Sequence, residues 1–314
     1  MTRWLLAILA LVPLPAIAQT GAPRVELPVR EVDLPNGDRR FATTLQIDGR
    51  AVEVGIDTGS TGLRVLPRAL GPAGAAAHGS RVTYSYGAGT GFAGSAVDVA
   101  VAAGAVAGTI RVMRIEAVGC TATHPDCPVA HADLAAYGVQ GDGIAGQGFA
   151  AILGIRLQHD EIANPFEQLG VRRWIVELPT SGTQPGRVIL NPDDAEVAAY
   201  ARVDVDAAGT TPVCLQGPER ICARGFFDSG AAGLRVIRAA PFRPWPNGTP
   251  TTITVGSGGA AQQMAVTIGR RDQASALLYA PGGGDTRLSL GFAPYFHWSV
   301  LYDAAAHQIG LKAR

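Results

Sequence analysis

The chain has almost no lysine. Of its 26 basic residues only Lys312 is not arginine, so there is neither a P-loop Gly-Lys-Ser/Thr nor a candidate Schiff-base lysine away from the C-terminus. Charge is scarce, at 17% of residues, and it balances, with 26 acidic against 26 basic side chains. That leaves no electrostatic footprint for nucleic acid or anionic lipid, and neither is expected as a partner. No apolar run after residue 18 reaches the roughly twenty residues that a membrane-spanning helix needs. The sequence also lacks G-x-S-x-G, which removes the nucleophile-elbow serine hydrolases. Its six histidines include no H-E-x-x-H and no paired metal spacing, so no metal is expected. Gly89-Thr90-Gly91-Phe92-Ala93-Gly94 matches the dinucleotide fingerprint, but SAVDVAVAAG after it reads as strand where that motif requires a helix. No cofactor is expected.

What the chain has is turn residues. Gly and Pro number 40 and 21, above the usual share but below that of disordered sequences. Residues 1–18, MTRWLLAILALVPLPAIA, read as a cleaved secretory signal, with Arg3, an apolar stretch and the small residues Ala16 and Ala18 before the cut. The expected location is therefore secreted or periplasmic. The remainder is long for one domain and suits two. Four cysteines fit an oxidising compartment. They allow three pairings, of which proximity favours two local staples, Cys120 with Cys127 and Cys214 with Cys222. A metal site from Cys120, Cys127, His124 and His131 has none of the standard zinc spacings.

From residue 24 onward, short β-rich runs such as FATTLQIDG, AVEVGI, RVTYSY, RVILN, TTITVG and WSVLYD are broken by Gly, Pro, Asn or Asp. Helical periodicity is confined to HDEIANPFEQLG, PDDAEVAAY and FAPYFHW. The expectation is a mainly β protein. PTSGTQPG, residues 179–186, is the linker candidate, dividing the chain into an N-terminal lobe, 19–180, and a C-terminal lobe, 181–314.

The most informative feature is an internal repeat. DTGSTGLRV at 57–65 and DSGAAGLRV at 228–236 agree at six of nine positions. Each follows an apolar run, so each aspartate leaves a buried strand into a glycine turn. One D-[ST]-G is ordinarily just a turn; two with matching flanks are a duplication. Duplicated lobes can bring equivalent loops together about a pseudo-twofold axis, as symmetry does in a homodimer, and Asp57 would then face Asp228.

Two such acids cannot both ionise cheaply, so one keeps a proton. The ionised member can draw a proton from a bound water that attacks a peptide carbonyl, while the protonated member supports the developing oxyanion. Gly59 and Gly230 give backbone N–H groups access to the carboxylates, and the hydroxyls of Thr58, Ser60 and Ser229 can orient the loops.

These residues resemble the D-T/S-G loops of the pepsin-like aspartic proteases, and the resemblance extends along most of the chain. FATTLQIDGRAVEVGIDTGSTGLRVLP is similar to the stretch leading into the family's first catalytic loop. VTYSYGAGTGFAGSAVDVAV resembles its flap hairpin, with Tyr86 and Gly87 at the substrate-facing tip and Tyr84 as the other register. GDGIAGQGF resembles the apolar-apolar-Gly element behind the first aspartate, at Ile144-Ala145-Gly146. NPFEQLGVRRWIVELP is similar to the helix and strand that follow, and LSLGFAPYFHWSVLYDAAAHQIGLKAR to the C-terminal stretch with Leu290-Gly291. The resemblance implies a bilobal acid-protease fold, two β-barrel-like lobes with a cleft between them. It also implies a monomeric endopeptidase acting on extended peptides or proteins. The arginine and alanine bias suggests a bacterial member.

Two departures stand out. Ala231 occupies the place where many members have a hydroxyl bonded to the second aspartate, and loss of that donor is expected to raise that acid's pKa; renin-type members resemble this arrangement and remain proteases. Arg64 stands where a tryptophan usually braces the flap tyrosine. Little room precedes Asp57 for an inhibitory pro-segment. The departures keep open a second reading, a pepsin-like binding or inhibitor protein without turnover, since a fold does not fix an activity.

Overall fold

The structure, a computed structural model, describes residues 22–180 and 184–314. The expected signal over residues 1–18 and the middle of the expected linker lie outside the described residues. The protein is mainly β, in two sheets of thirteen and seven strands.

The chain opens with β1 (Val25–Asp33), β2 (Arg39–Ile47) and β3 (Arg50–Asp57) in an antiparallel meander. In β1, Val25, Leu27 and Val29 are buried and Glu26, Pro28 and Arg30 exposed, the period-two alternation of a half-buried strand. β2 and β3 join through Asp48-Gly49, both at positive φ, the mirror-image turn whose twist suits a two-residue hairpin. After the turn at Asp57, β4 (Thr61–Val65) is buried along its whole length. β5 (Ser80–Ser85), β6 (Thr90–Ala103) and β7 (Val106–Cys120) form successive hairpins. β8 (Ala151–Ile155), the fully apolar AILGI, inserts between β3 and β4.

The next strands, β9 (Arg173–Glu177) and β10 (Gly186–Leu190), pair with each other, and β10 pairs with β1. β10 follows residue 180, so the strands that flank the expected lobe boundary share one sheet. Then come β11 (Ala201–Asp204), β12 (Thr211–Gln216), β13 (Arg220–Phe226), β14 (Leu234–Arg238), β15 (Pro250–Val255), β16 (Gln262–Thr267), β17 (Leu277–Pro281), β18 (Arg287–Ser289), β19 (Trp298–Asp303) and β20 (Gln308–Ala313). β11, β20 and β19 join the first sheet through the antiparallel pairing of β19 with β9. Strands from both ends of the chain therefore build a continuous run, β11-β20-β19-β9-β10-β1.

Topology repeats as the sequence does. The first sheet contains the order β2-β3-β8-β4-β7 and the second β12-β13-β18-β14-β17. The senses match at every step: β3 parallel to β8 and β13 to β18, β4 antiparallel to β8 and β14 to β18, β4 parallel to β7 and β14 to β17. In each copy the aspartate turn lies between a strand and its second neighbour, with a third strand threaded between them.

That threading corrects one expectation. Ile144-Ala145-Gly146 lies in a run of turns, and the apolar-apolar-Gly element behind Asp57 is Ile152-Leu153-Gly154 in β8, where Gly154 is in register with Asp57. Both stretches have the same short pattern, but only AILGI is a continuous apolar run able to be buried on both faces. Three short helices fall where expected, at Pro165–Gln168, Asp194–Ala198 and Ala293–His297, and a fourth, unexpected, forms at Pro72–Ala76, where Pro72 opens the first turn of a short Ala-rich segment. The helix Asp194–Ala198 is held by a capping box between Asp193 and Glu196, which satisfies two otherwise orphaned N–H groups. Both expected disulfides are present, Cys120–Cys127 and Cys214–Cys222, the latter directly across the β12–β13 pair.

Gly154 leaves no room for a side chain: a Cβ there would lie 2.7 Å from the Gly62 carbonyl and 2.9 Å from Ser60 Oγ. Gly154→Ala is expected to cost about 1–3 kcal/mol by overpacking, measured by denaturant unfolding, because backbone on that side cannot yield as a flexible side chain would.

Candidate functional site

Each aspartate emerges from a strand that the threaded neighbour buries. Asp57 ends β3 and Asp228 follows β13 by two residues. Between the two turns runs a reciprocal set of hydrogen bonds. The Thr58 N–H donates to Ser229 Oγ at 3.0 Å and the Ser229 N–H to Thr58 Oγ1 at 2.9 Å. Each hydroxyl then donates across the interface, Thr58 to the Phe227 carbonyl at 3.2 Å and Ser229 to the Ile56 carbonyl at 2.9 Å. A hydroxyl can accept and donate at once, so two small side chains join four backbone groups. Both residues are buried. Tyr295, wholly buried, donates its hydroxyl to Thr58 Oγ1 at 2.7 Å and supports the pair from below.

The carboxylates are held in the same way in both turns. Asp57 Oδ1 accepts from the Gly59 N–H at 2.8 Å and Oδ2 from the Ser60 hydroxyl at 2.7 Å. Asp228 Oδ1 accepts from the Gly230 N–H at 3.1 Å, and Oδ2 from the hydroxyl of Ser289 at 3.2 Å. The donor missing at Ala231 is thus supplied from β18, 61 residues away in sequence. Nothing local could have marked Ser289; only the threading of β18 between β13 and β14 brings it there.

The two glycines are where the turns approach each other. A Cβ on Gly59 would stand 2.5 Å from the Asp228 carboxyl carbon, and one on Gly230 would stand 3.0 Å from Asp57 Oδ1. Contacts under about 3.0 Å are not sustained by real side chains, so glycine is what lets each turn touch the other's carboxylate. Gln140, not singled out from sequence, completes the floor: its amide donates to the Ile56 carbonyl at 3.5 Å, and its Nε2 lies 3.1 Å from where a Gly230 Cβ would be.

Burial and the neighbouring Asp228 charge raise the Asp57 pKa to about 6, against the bonds from Ser60 and Gly59 and the positive charge of Arg64. Desolvation and like charge both disfavour the ionised form. The raised value falls on Asp57, which is buried to 4% exposure.

Over these turns stands the β5–β6 hairpin. Its tip is closed by the Tyr86 N–H donating to the Thr90 carbonyl and the Gly89 N–H to the Tyr86 carbonyl, with Gly87 and Ala88 exposed. Tyr84 on β5 and Tyr86, the residue after its end, stand two residues apart with their rings in edge-on contact. Tyr84 carries the guanidinium of Arg64 against its ring, 3.2 Å from the centroid. Arg64, 1% exposed, also donates to the Gly62 carbonyl at 3.3 Å and pairs with Asp160 at 3.4 Å. Tyr86 packs edge-on against Tyr84 and Phe92, and its hydroxyl is buried without a partner. Arg64 thus ties the hairpin to the strand after Asp57 through Tyr84. The hairpin, both turns, Arg156 and β14 line one open cavity of about 1190 Å³.

Compared with known proteins, the chain matches no family model and no curated protein. The functional reading therefore rests on the site itself.

Two outcomes follow. Below about pH 4, Asp57 is protonated in both the folded and the unfolded chain; between its ordinary value of 3.8 and about 6 only the unfolded chain ionises, so stability is lost across that window and stays reduced above it. Asp57→Asn is expected to raise the melting temperature at pH 7, offsetting at most ~3 kcal/mol, and to give no gain at pH 3.5. Ser289→Ala, which removes the hydroxyl bonded to Asp228, is expected to cost about 1–3 kcal/mol at neutral pH, read from denaturant midpoints.

Proposed function

We propose that the protein is an aspartic endopeptidase of pepsin-like build, with two lobes related by duplication and a cleft between them. The observation that carries this reading is the reciprocal bonding of the two D-T/S-G turns, which presents two carboxylates side by side with equivalent donors. The repeated strand order supports duplication of a lobe. The run from β11 to β1 then serves as the sheet that joins the lobes. Two disulfides fit a secreted or periplasmic protein, and among the described residues no helix is long and apolar enough to cross a membrane.

In this reading the carboxyl pair shares one proton. The ionised acid takes a proton from a water between the two carboxyls as its oxygen bonds to the substrate carbonyl carbon, while the protonated acid donates to the carbonyl oxygen. The tetrahedral diol then collapses: one diol hydroxyl returns its proton to the acid now ionised as its C=O re-forms, the C–N bond breaks, the amine nitrogen takes the proton of the other acid, and the amine and the new carboxylic acid leave the pair with one proton. No covalent enzyme intermediate forms. The Gly59 and Gly230 N–H groups and the Ser60 and Ser289 hydroxyls hold the carboxyls in place throughout, so reorganisation during the reaction is small. The hairpin closes over an extended peptide, whose alternating side chains enter pockets on both sides. Tyr84, fixed on Arg64, positions that hairpin as a bracing tryptophan would. The stacked cation answers the departure at Arg64, and Ser289 answers the one at Ala231.

Cleavage of a peptide library, followed by mass spectrometry between pH 3 and pH 7, tests the reading. Expected are internal cuts, a rate that falls above about pH 6 as the raised Asp57 group ionises, and loss of at least about a thousandfold in kcat/KM in both Asp57→Asn and Asp228→Asn. No cleavage, or cleavage untouched by either change, would sink it. Peptide binding without turnover would leave the non-catalytic reading in its place.

A further inference from the structure

The duplicated turn carries an arginine at the same place in each copy, Arg64 and Arg235, and their surroundings differ. Arg64 is buried, with Asp160 as its counter-ion. Arg235 is half-buried on β14, in register with Ser289, and lines the cavity. No carboxylate among the described residues forms an ion pair with it. Arg287, in register with Ile237 on the same wall, is likewise without one. Arg156 approaches from the other side of Asp57. It stacks on Phe226 at 4.1 Å and donates Nη1 to the Gly59 carbonyl at 3.2 Å, while its Nε is buried with no hydrogen-bond partner.

The acids of the cavity do not answer these cations. Asp142 is held by Arg40 at 2.7 Å and Asp160 by Arg64 at 3.4 Å. Asp57 and Asp228 remain, and a pair sharing one proton carries a single negative charge. Three guanidinium groups therefore face the cavity with less than their own charge in opposition. Arg156 holds a buried N–H without a partner, which is costly, whereas Arg235 is half-buried and Arg287 exposed; guanidinium is the side chain whose donors fit a carboxylate two at a time.

We propose that the cleft selects peptides bearing carboxylate side chains near the cut bond, received by Arg156 on the Phe226 side of the aspartate pair and by Arg235 and Arg287 on the β14–β18 wall. This rests on the endopeptidase reading and names its substrate class. The carboxylate is assigned to Asp or Glu side chains, and a free chain end offers the same chemistry.

Amidated fluorogenic peptides carrying Glu or Gln at each position around the cut separate the two sources, alongside Gln peptides with a free C-terminal carboxylate. The wild-type chain is expected to prefer Glu at one or more positions by about tenfold or more in kcat/KM, mainly through KM. In Arg235→Gln/Arg287→Gln, or in Arg156→Gln, the ratio of Glu-peptide to Gln-peptide cleavage at the corresponding position should shrink toward unity. Equal cleavage of Glu and Gln peptides, or variants that slow both alike, overturns the proposal. A gain confined to the free C-terminus overturns the side-chain assignment. Should no peptide be cut, the endopeptidase reading fails by itself, and fluorescence anisotropy with the same peptides decides selectivity. Tighter binding of Glu peptides that is lost in the double variant supports it, and equal binding defeats it.

Discussion

Four hydrogen bonds made by Thr58 and Ser229, two to each other and one from each hydroxyl to a carbonyl of the opposite turn, are the constraint on which the rest of the site depends. They join turns 171 residues apart, and each hydroxyl both accepts and donates across the interface. Because the bonds are reciprocal, neither turn can rotate without unpairing a buried backbone N–H, and such a group has no water to turn to. The carboxylates inherit this rigidity. Each accepts from the glycine two residues on in its own turn and from one hydroxyl, and each lies against the glycine of the other turn.

Rigidity here is opposed by electrostatics. A carboxyl buried beside another carboxyl would ordinarily lose its charge, and Asp57 moves in that direction. Short bonds from Gly59 and Ser60 and the field of Arg64 pull it back, and its pKa comes to rest at about 6. Two identical side chains in equivalent turns thus have different surroundings, Asp57 accepting from Ser60 in its own turn and Asp228 from Ser289 on another strand. The cost falls on stability and is offset by burial of residues such as Leu63, Leu153, Leu234 and Leu290, each fully enclosed.

What could be read from sequence was whatever is local. The repeated D-x-G turns announce themselves because two copies share their flanks over nine positions, where one alone would be an ordinary turn. The disulfides follow from cysteines close enough to face each other in hairpins, as Cys214 and Cys222 do. What escaped was set by strand threading. Ser289 gives no sign of its role until β18 lies between β13 and β14. The element behind Asp57 was placed at Ile144-Ala145-Gly146, since a three-residue pattern cannot choose between two candidates that only β-pairing separates. Tyr84 and Tyr86 stand two residues apart, so period-two logic admits both to the cavity, and what distinguishes them is the stacking of Arg64 on Tyr84 and the packing of Tyr86 on Phe92. That contact was illegible because a cation-π pair across 20 residues leaves no spacing signature.

The duplication also shows what a repeated segment is free to change. Aspartate, glycine and the crossing hydroxyl are retained in both copies because each is answered by its counterpart across the interface. Arginine is retained too, but nothing pairs Arg64 with Arg235. One copy gained Asp160 and the hairpin tyrosine and became part of the scaffold. The other lies on β14, whose parallel neighbour β17 and threaded neighbour β18 offer it Leu278 and Ser289 in register and no acid. A cation kept on a cavity wall without a counter-ion forgoes the Coulomb energy that its twin collects. Asymmetry between otherwise equivalent positions is therefore the place to look for what distinguishes one wall of a cleft from the other, whereas the symmetric residues report only on what the two halves must do together.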